Sequence, residues 1–296
     1  MTKDIFLKNV LLKDYTTFKI GGPAKYFFVA KSKEDLIKAI EISKKNKLPI
    51  FILGGGSNIL FSDKGFCGLV IKLEISGIEF SKNKVVVGSG VKLSNFANIV
   101  SKNGFSGFEW AVGIPSATVG GSIFGNAQAF GFKISDTVES VEVLNLKTLK
   151  IQKFSKQQCK FSLKNSIFKK NKNFVILSII FKLKKGDKEE IKNKIHEFLK
   201  YRKKCHPIEF FSAGSVFVNP EKKKEMISVG YLIEKIGLKE KKIGNAQISE
   251  KHANFIINLG NAKSKDVEAL IKLAKQKVKK NFNINLETEI QIVNYK

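Results

Sequence analysis

Two glycine-rich segments of this 296-residue chain offer backbone amides as their reactive groups. The first, Gly54-Gly55-Gly56-Ser57-Asn58, directly follows the apolar run Pro49-Ile-Phe-Ile-Leu53. Glycines at a strand end reach positive φ and let N–H groups approach a diphosphate with no Cβ in the way, which makes an anion cradle. A tight structural turn is the competing reading of the same residues. The dinucleotide fingerprint is excluded, because residues 59–65 carry no helical period and end in a turn. The second segment, Gly113-Ile114-Pro115-Ser116-Ala117-Thr118-Val119-Gly120-Gly121 followed by Gly125-Asn126, adds further amides and the Ser116 and Thr118 hydroxyls. Two such loops point to an extended ligand carrying a diphosphate.

Other reactive groups are sparse. Cys67, Cys159 and Cys205 are too scattered for a disulfide framework or a Cys-x-x-Cys site, and fit a reduced compartment. His206 beside Cys205 has no third ligand at metal spacing, and no histidine is spaced to form a triad with Ser215. By itself Ser215 reads as a turn hydroxyl after a glycine, and Glu287 and Glu289 as carboxylates on one face of a strand. Arg202 is the sole arginine, and it either clamps a substrate diphosphate or closes a helix-end salt bridge.

These residues need a scaffold, and its periodicities mix helix and strand. Ser32 with Asp35 three residues later caps a helix to about Asn46, and Leu93, Phe96, Ala97 and Val100 mark a second. Strand patterns fall at residues 49–53, 70–73, 84–87, 138–144, 174–181 and 289–293, and the glycine-rich stretch 107–131 interrupts regular structure. The charge run 182–190 reads as a solvated connection between domains. After it, Ile191, Ile195, Phe198 and Leu199 mark a helix. Met226, Val229, Ile233 and Ile236 mark another that stops at Gly237, and a third runs from a Ser264 cap to Val278.

Composition closes off several function classes. With 53 Lys+Arg against 26 Asp+Glu the net charge is +27, yet almost all of it is lysine. A nucleic-acid surface would use arginine for planar and stacked contacts, so the lysines read as solvated faces that also draw in an anionic small substrate. The first ten residues carry Lys3, Asp4 and Lys8 and no apolar signal core, and the apolar run 174–181 is far short of the roughly 20 residues a membrane helix needs. A cytoplasmic protein with no membrane insertion, no nucleic-acid partner and a monomeric state is expected.

The order of the segments carries a resemblance. Tyr15-Thr-Thr-Phe-Lys-Ile-Gly-Gly-Pro-Ala24, Leu53-Gly-Gly-Gly-Ser-Asn-Ile-Leu60 and Gly113-Ile-Pro with Thr118-Val-Gly-Gly121 are similar to the flavin-binding part of the UDP-N-acetylenolpyruvoylglucosamine reductases. So are Ala213-Gly-Ser-Val-Phe217 with Asn219-Pro220, Ile243-Gly-Asn-Ala-Gln247, Ser249-Glu-Lys-His-Ala-Asn-Phe255 and Leu286-Glu-Thr-Glu289, which fall in the second half. The compact spacing between Arg202 and Ala213 resembles the shorter type of this family.

The resemblance implies an α+β fold. An FAD-binding domain of the vanillyl-alcohol-oxidase (PCMH) type, residues 1–183, would precede a smaller α+β substrate-binding domain, 187–296, whose last strand returns to the first domain. It implies a cytoplasmic step of peptidoglycan synthesis in which NADPH reduces FAD and the flavin N5 hydride goes to the enolpyruvyl group of a UDP-sugar. Ser215 would be the proton donor, with Glu289 and Lys164 polarising the substrate. Gly54, Gly55, Gly56, Ser57, Asn58, Ile59, Pro115, Ser116, Thr118, Gly120, Gly121 and Asn126 would bind FAD, and Arg202 and Asn219 the substrate. The chain departs from the family pattern in four places, one being the Gly113–Gly121 loop, which is one residue longer than Gly-Ile-Pro-Gly-Ser/Thr-Val-Gly-Gly. Lys164 stands for the arginine and Leu163 for the tyrosine of Phe-x-Tyr-Arg-x-Ser-x-Phe; Val218 stands for a lysine; and Gln128 interrupts Asn126-Ala-Gln128-Ala-Phe130-Gly131. Another FAD-linked oxidoreductase of the same fold, or a catalytically impaired binding homologue, are the alternatives.

Overall fold

The computed structural model describes residues 3–114, 116–222 and 225–294. Pro115, one of the expected flavin contacts, lies outside them. The chain divides into two compact units. One runs through Leu7, Phe27–Gly55 and Gly68–Tyr201; the other takes Lys8–Tyr26, Gly56–Cys67 and Arg202 onward. Both combine helices with antiparallel sheet, so the fold is α+β. Among the described residues no helix is long and apolar enough to cross a membrane.

The first unit is built on a five-stranded antiparallel sheet in the order Ile151–Ser155, Val138–Asn145, Phe174–Lys182, Lys84–Gly88, Ile78–Ser81. The helix Leu93–Lys102 turns Leu93, Phe96, Ala97 and Val100 inward, as the three- and four-residue spacing dictates. Phe96, Phe108 and Phe181 meet there, with Phe96 and Phe108 edge-to-face at 4.8 Å. Each of these buried rings contributes about 2–3 kcal/mol relative to exposure, so this aromatic knot anchors the segment leading into the second glycine loop. The capping box at Ser32 forms as expected: Ser32 Oγ accepts from the Asp35 N–H, and the Asp35 carboxylate accepts from the Ser32 N–H.

The second unit holds a four-stranded sheet in the order Phe211–Ser215, Phe255–Asn258, Ala246–Ile248, Lys242–Ile243. The helix Ser264–Phe282 buries Val267, Leu270, Ile271, Ala274 and Val278 in its core. Two early segments join this unit. Phe18, Ile20 and Leu60 enter the same core, and Ile59–Phe61 pairs in parallel with Gln291–Val293. The Thr17 hydroxyl donates to Ser212 O at 2.7 Å, and the Asn258 amide donates to Phe18 O at 3.0 Å.

Several elements differ from their sequence signals. The glycine-rich stretch contains a short helix, Val119–Phe124, because Thr118 Oγ1 accepts from the Gly121 N–H and the glycines let its backbone pack closely. A Cβ on Gly120 would lie 2.7 Å from the Ser89 Cβ. The charge run is structured: Lys184–Lys185 pairs with Phe105–Ser106, and the helix Lys188–Cys205 starts soon after. The helix expected from Met226 begins at Val229, since Ser228 Oγ caps it at the Tyr231 N–H, and Met226 pairs with Glu221 in a short hairpin. Ser264 is the first helical residue rather than the cap. Its N–H and hydroxyl both donate to the Asp63 carboxylate, while Asp266 accepts from the Lys263 N–H.

Candidate active site

In the first unit the strand Ile50–Leu53 delivers Gly54 and Gly55 against the second glycine loop. A Cβ on Gly55 would overlap the Ser116 carbonyl oxygen and come within 3.1 Å of the Thr118 amide nitrogen, and one on Gly54 would sit 2.8 Å from Thr118 Oγ1. Only glycine permits this approach, which brings residues of both predicted loops together. The Thr118 hydroxyl serves as the helix cap described above, so its role is to shape the loop. Lys72, which sequence reasoning passed over, donates from Nζ to Gly54 O at 2.6 Å. Burial holds its ammonium below the usual lysine range; Glu74 opposes that shift and Lys92 adds to it. A lone lysine in the apolar strand Phe66–Leu73 was the available signal.

Whether this unit suits a flavin can be tested on its orphaned polar atoms. Ser89 Oγ, Ser122 Oγ, Asn126 Oδ1 and Gln128 Nε2, like Ser43 Oγ and Ser140 Oγ of the same unit, are buried without a hydrogen-bond partner among the described residues. Buried polar groups normally have partners, and an isoalloxazine edge presents both donors and acceptors, so the four atoms that lie in or against the glycine-rich stretch 107–131 fit that group. Asn126 Nδ2 donates to Ser162 O at 2.8 Å, and Ser166 Oγ donates to Phe124 O at 2.7 Å. Those two bonds fasten the turn that carries Lys164 to the end of the glycine helix. Lys164 is half-buried at φ 51, within a turn closed by reciprocal Ser162 and Asn165 backbone bonds.

In the second unit the two extended segments carrying Ser215 and Glu289 lie side by side. The Glu289 N–H donates to Val216 O at 2.8 Å, the Val218 N–H donates to Glu287 O at 3.0 Å, and Phe217 bridges Thr288. Ser215 ends the strand Phe211–Ser215 just after Gly214, whose φ of +77 accompanies a register shift against Phe255–Asn258. Such a bulge re-aims the side chain that follows it. The Glu289 backbone is also held by Asn58, whose Nδ2 donates to Glu289 O at 3.2 Å, while Asn58 O accepts from the Gln291 N–H. Asn58 and its neighbours Gly56, Ser57 and Ile59 thus belong to the same unit as the acid. Asn219 is exposed, and its Oδ1 accepts from the Val229 N–H at 3.0 Å.

Arg202 sits in the last turn of its helix, with His206 one turn on; the His206 N–H donates to Arg202 O at 2.9 Å. Burial works against the charge of Arg202. The His206 and His252 rings lie 5.3 Å apart and both pack on Phe255. Burial, then the Arg202 charge and then His252, pulls His206 down to about 4, and burial chiefly lowers His252 as well. An unfolded histidine takes up its proton near pH 6.5, before the folded one, so the stability conferred is complete above that pH and lost as pH falls toward 4. After screening at a partly exposed ring this amounts to about 1–2 kcal/mol. Urea midpoints measured at pH 7 and pH 4.5 should fall across that interval, and fall less in His206→Gln.

Burial pushes the Cys159 thiol up to about 12, which leaves it unreactive. A cavity of about 520 Å³ elsewhere in the second unit is lined by Tyr231, Lys235, Ile236, Lys277, Asn281 and Phe282. It contains none of the expected site residues and no acid that could deliver a proton.

Comparison with known proteins converges on this arrangement. The family model described as the C-terminal domain of UDP-N-acetylenolpyruvoylglucosamine reductase matches residues 206–293, and that of an FAD binding domain matches residues 24–154. The chain is 41% identical to the UDP-N-acetylenolpyruvoylglucosamine reductase of Clostridium novyi over 99% of its length and 94% of the relative's. It is 42% identical to that of Caldanaerobacter subterraneus over 97% and 93%. The crystal structure of the Thermus caldophilus reductase superimposes with a TM-score of 0.81 at 32% identity, covering 97% of this chain and 99% of that one.

Proposed function

The chain belongs to the UDP-N-acetylenolpyruvoylglucosamine reductase family, and from that premise we propose how its own residues carry out the reduction that makes UDP-N-acetylmuramate for peptidoglycan. The enzyme uses FAD and NADPH. Bound FAD would supply the two-electron hydride chemistry between NADPH and the methylene carbon of the enolpyruvyl ether. The residues described below supply the remaining requirements: binding, charge stabilisation and one proton.

Hydride arrival at the methylene carbon pushes negative charge onto the adjacent carbon and its carboxylate. Ser215 Oγ delivers the proton to that adjacent carbon. A serine is a weak acid, and it serves here because the developing carbanion is a strong base and the hydroxyl is held in place. Glu289 orients the substrate carboxylate or shares its proton while charge accumulates, and Lys164 supplies a cation to the same group. The observation that best supports the pairing is the Glu289 N–H bond to Val216 O, which joins the acid's segment to the residue after Ser215. The flavin is assigned to residues 1–183 through the glycine loops. The UDP-sugar is assigned to residues 187–296, with Arg202 toward its diphosphate and Asn219 as a further substrate contact, in a monomeric cytoplasmic enzyme.

The deciding experiment is anaerobic stopped-flow absorbance of the flavin. Bleaching with NADPH, followed by recovery on adding the enolpyruvyl UDP-sugar, supports the assignment; bleaching without recovery overturns it. Lys164 yields its own expectation. An ammonium lacks the planar two-pronged grip that a guanidinium has on a carboxylate. Lys164→Arg should therefore raise turnover by about one to three orders of magnitude at saturating substrate. Unchanged turnover would show that the single-pointed cation already suffices.

A further inference from the structure

We propose that Asn254 is the positioning residue that sets Ser215 and Glu289 for proton transfer. This inference rests on the reading of Ser215 as proton donor. The bulge at Gly214 interrupts the ladder between Phe211–Ser215 and Phe255–Asn258 just where the donor must be held. Asn254 replaces the missing bonds. Its Oδ1 accepts from the Phe217 N–H at 2.9 Å, its Nδ2 donates to Phe217 O at 2.9 Å, and its own carbonyl accepts from the Val216 N–H at 2.8 Å. Asn254 thus acts as a strand partner for the two residues following Ser215, through its backbone carbonyl for Val216 and its side chain for Phe217, and that side chain is buried, at 4% exposure. Val216 passes the constraint on, because its carbonyl holds the Glu289 N–H. Asn254 is in turn fixed by donating its N–H to His252 Nδ1 at 3.2 Å. One residue therefore fixes the backbone beside both members of the acid pair, its side chain clamping Phe217 and its carbonyl holding Val216, while no contact of its own with substrate is required.

The test uses the FAD-loaded full chain, with Asn254→Ala and the near-isosteric Asn254→Asp, which keeps the acceptor for Phe217 and loses the donor. Loss of placement on the scale of 1 Å should slow flavin reoxidation by the enolpyruvyl UDP-sugar by about 10- to 100-fold, while flavin reduction by NADPH stays within about twofold. The solvent deuterium isotope effect on reoxidation should grow, and the Phe217 and Glu289 amides should exchange with deuterium faster. A merely structural role would leave the isotope effect unmoved. If Ser215→Ala slows reoxidation and neither Asn254 variant does, this inference is wrong and the donor assignment stands. If Ser215→Ala has no effect, the donor assignment fails and takes this one with it. Should Asn254→Ala not retain flavin, Asn254→Asp decides.

Discussion

Replacing Ser215 with alanine is expected to slow reoxidation of the reduced flavin by the enolpyruvyl UDP-sugar by about 10²–10⁴, the usual contribution of a positioned general acid. Reduction of the flavin by NADPH needs no proton from this hydroxyl and should keep its rate. The two half-reactions therefore separate the role of Ser215 from any effect on folding or cofactor retention. Ser215→Cys, which restores a small proton donor at the same place, should recover part of the loss. Equal slowing of both half-reactions would instead mark Ser215 as a residue that holds the loop.

Gly55→Ala is expected to have the second large effect, and on a different quantity. Its Cβ would overlap the Ser116 carbonyl oxygen, and since that atom is backbone no rotamer change can relieve the clash. The two glycine loops must separate, at about 3 kcal/mol for overpacking of this kind, which corresponds to roughly a 100-fold loss of FAD affinity. Titration of apoprotein with FAD, followed by the quenching of flavin fluorescence, measures it directly. Gly125→Ala, at the end of the second glycine-rich segment, is the control, since its nearest new contact, Gly121 O, lies at an ordinary 3.8 Å. If both variants bind FAD equally, the close approach of the loops is not what forms the cradle.

The family membership of the chain was readable before any coordinates, because it resides in short motifs whose glycines, serine and acids stand in a fixed order from residue 15 to 293. Helices with one apolar stripe, such as Leu93–Lys102, were equally plain, since a repeat of three and four residues has no other good use. The weakest points were those where a side chain chose a distant partner over a local one. Ser264 has the residue type of a helix cap, but it donates to Asp63, some two hundred positions earlier. Met226 continues the stripe of the following helix, yet a hairpin with Glu221 takes it.

What the linear order determined was therefore the inventory: which loops can let a diphosphate approach, which hydroxyl and which carboxylate match the positions the family pattern reserves for the reaction, and that lysine stands at position 164 in place of arginine. Tertiary structure decided how those parts are held. Asn254 and Lys72 carry no motif that reports their partners, because one bonds to Phe217 across a bulge and the other to Gly54 from a neighbouring strand. Local propensity extends only a few residues along a chain, whereas a buried amide or ammonium must satisfy its hydrogen bonds with whatever folding brings beside it.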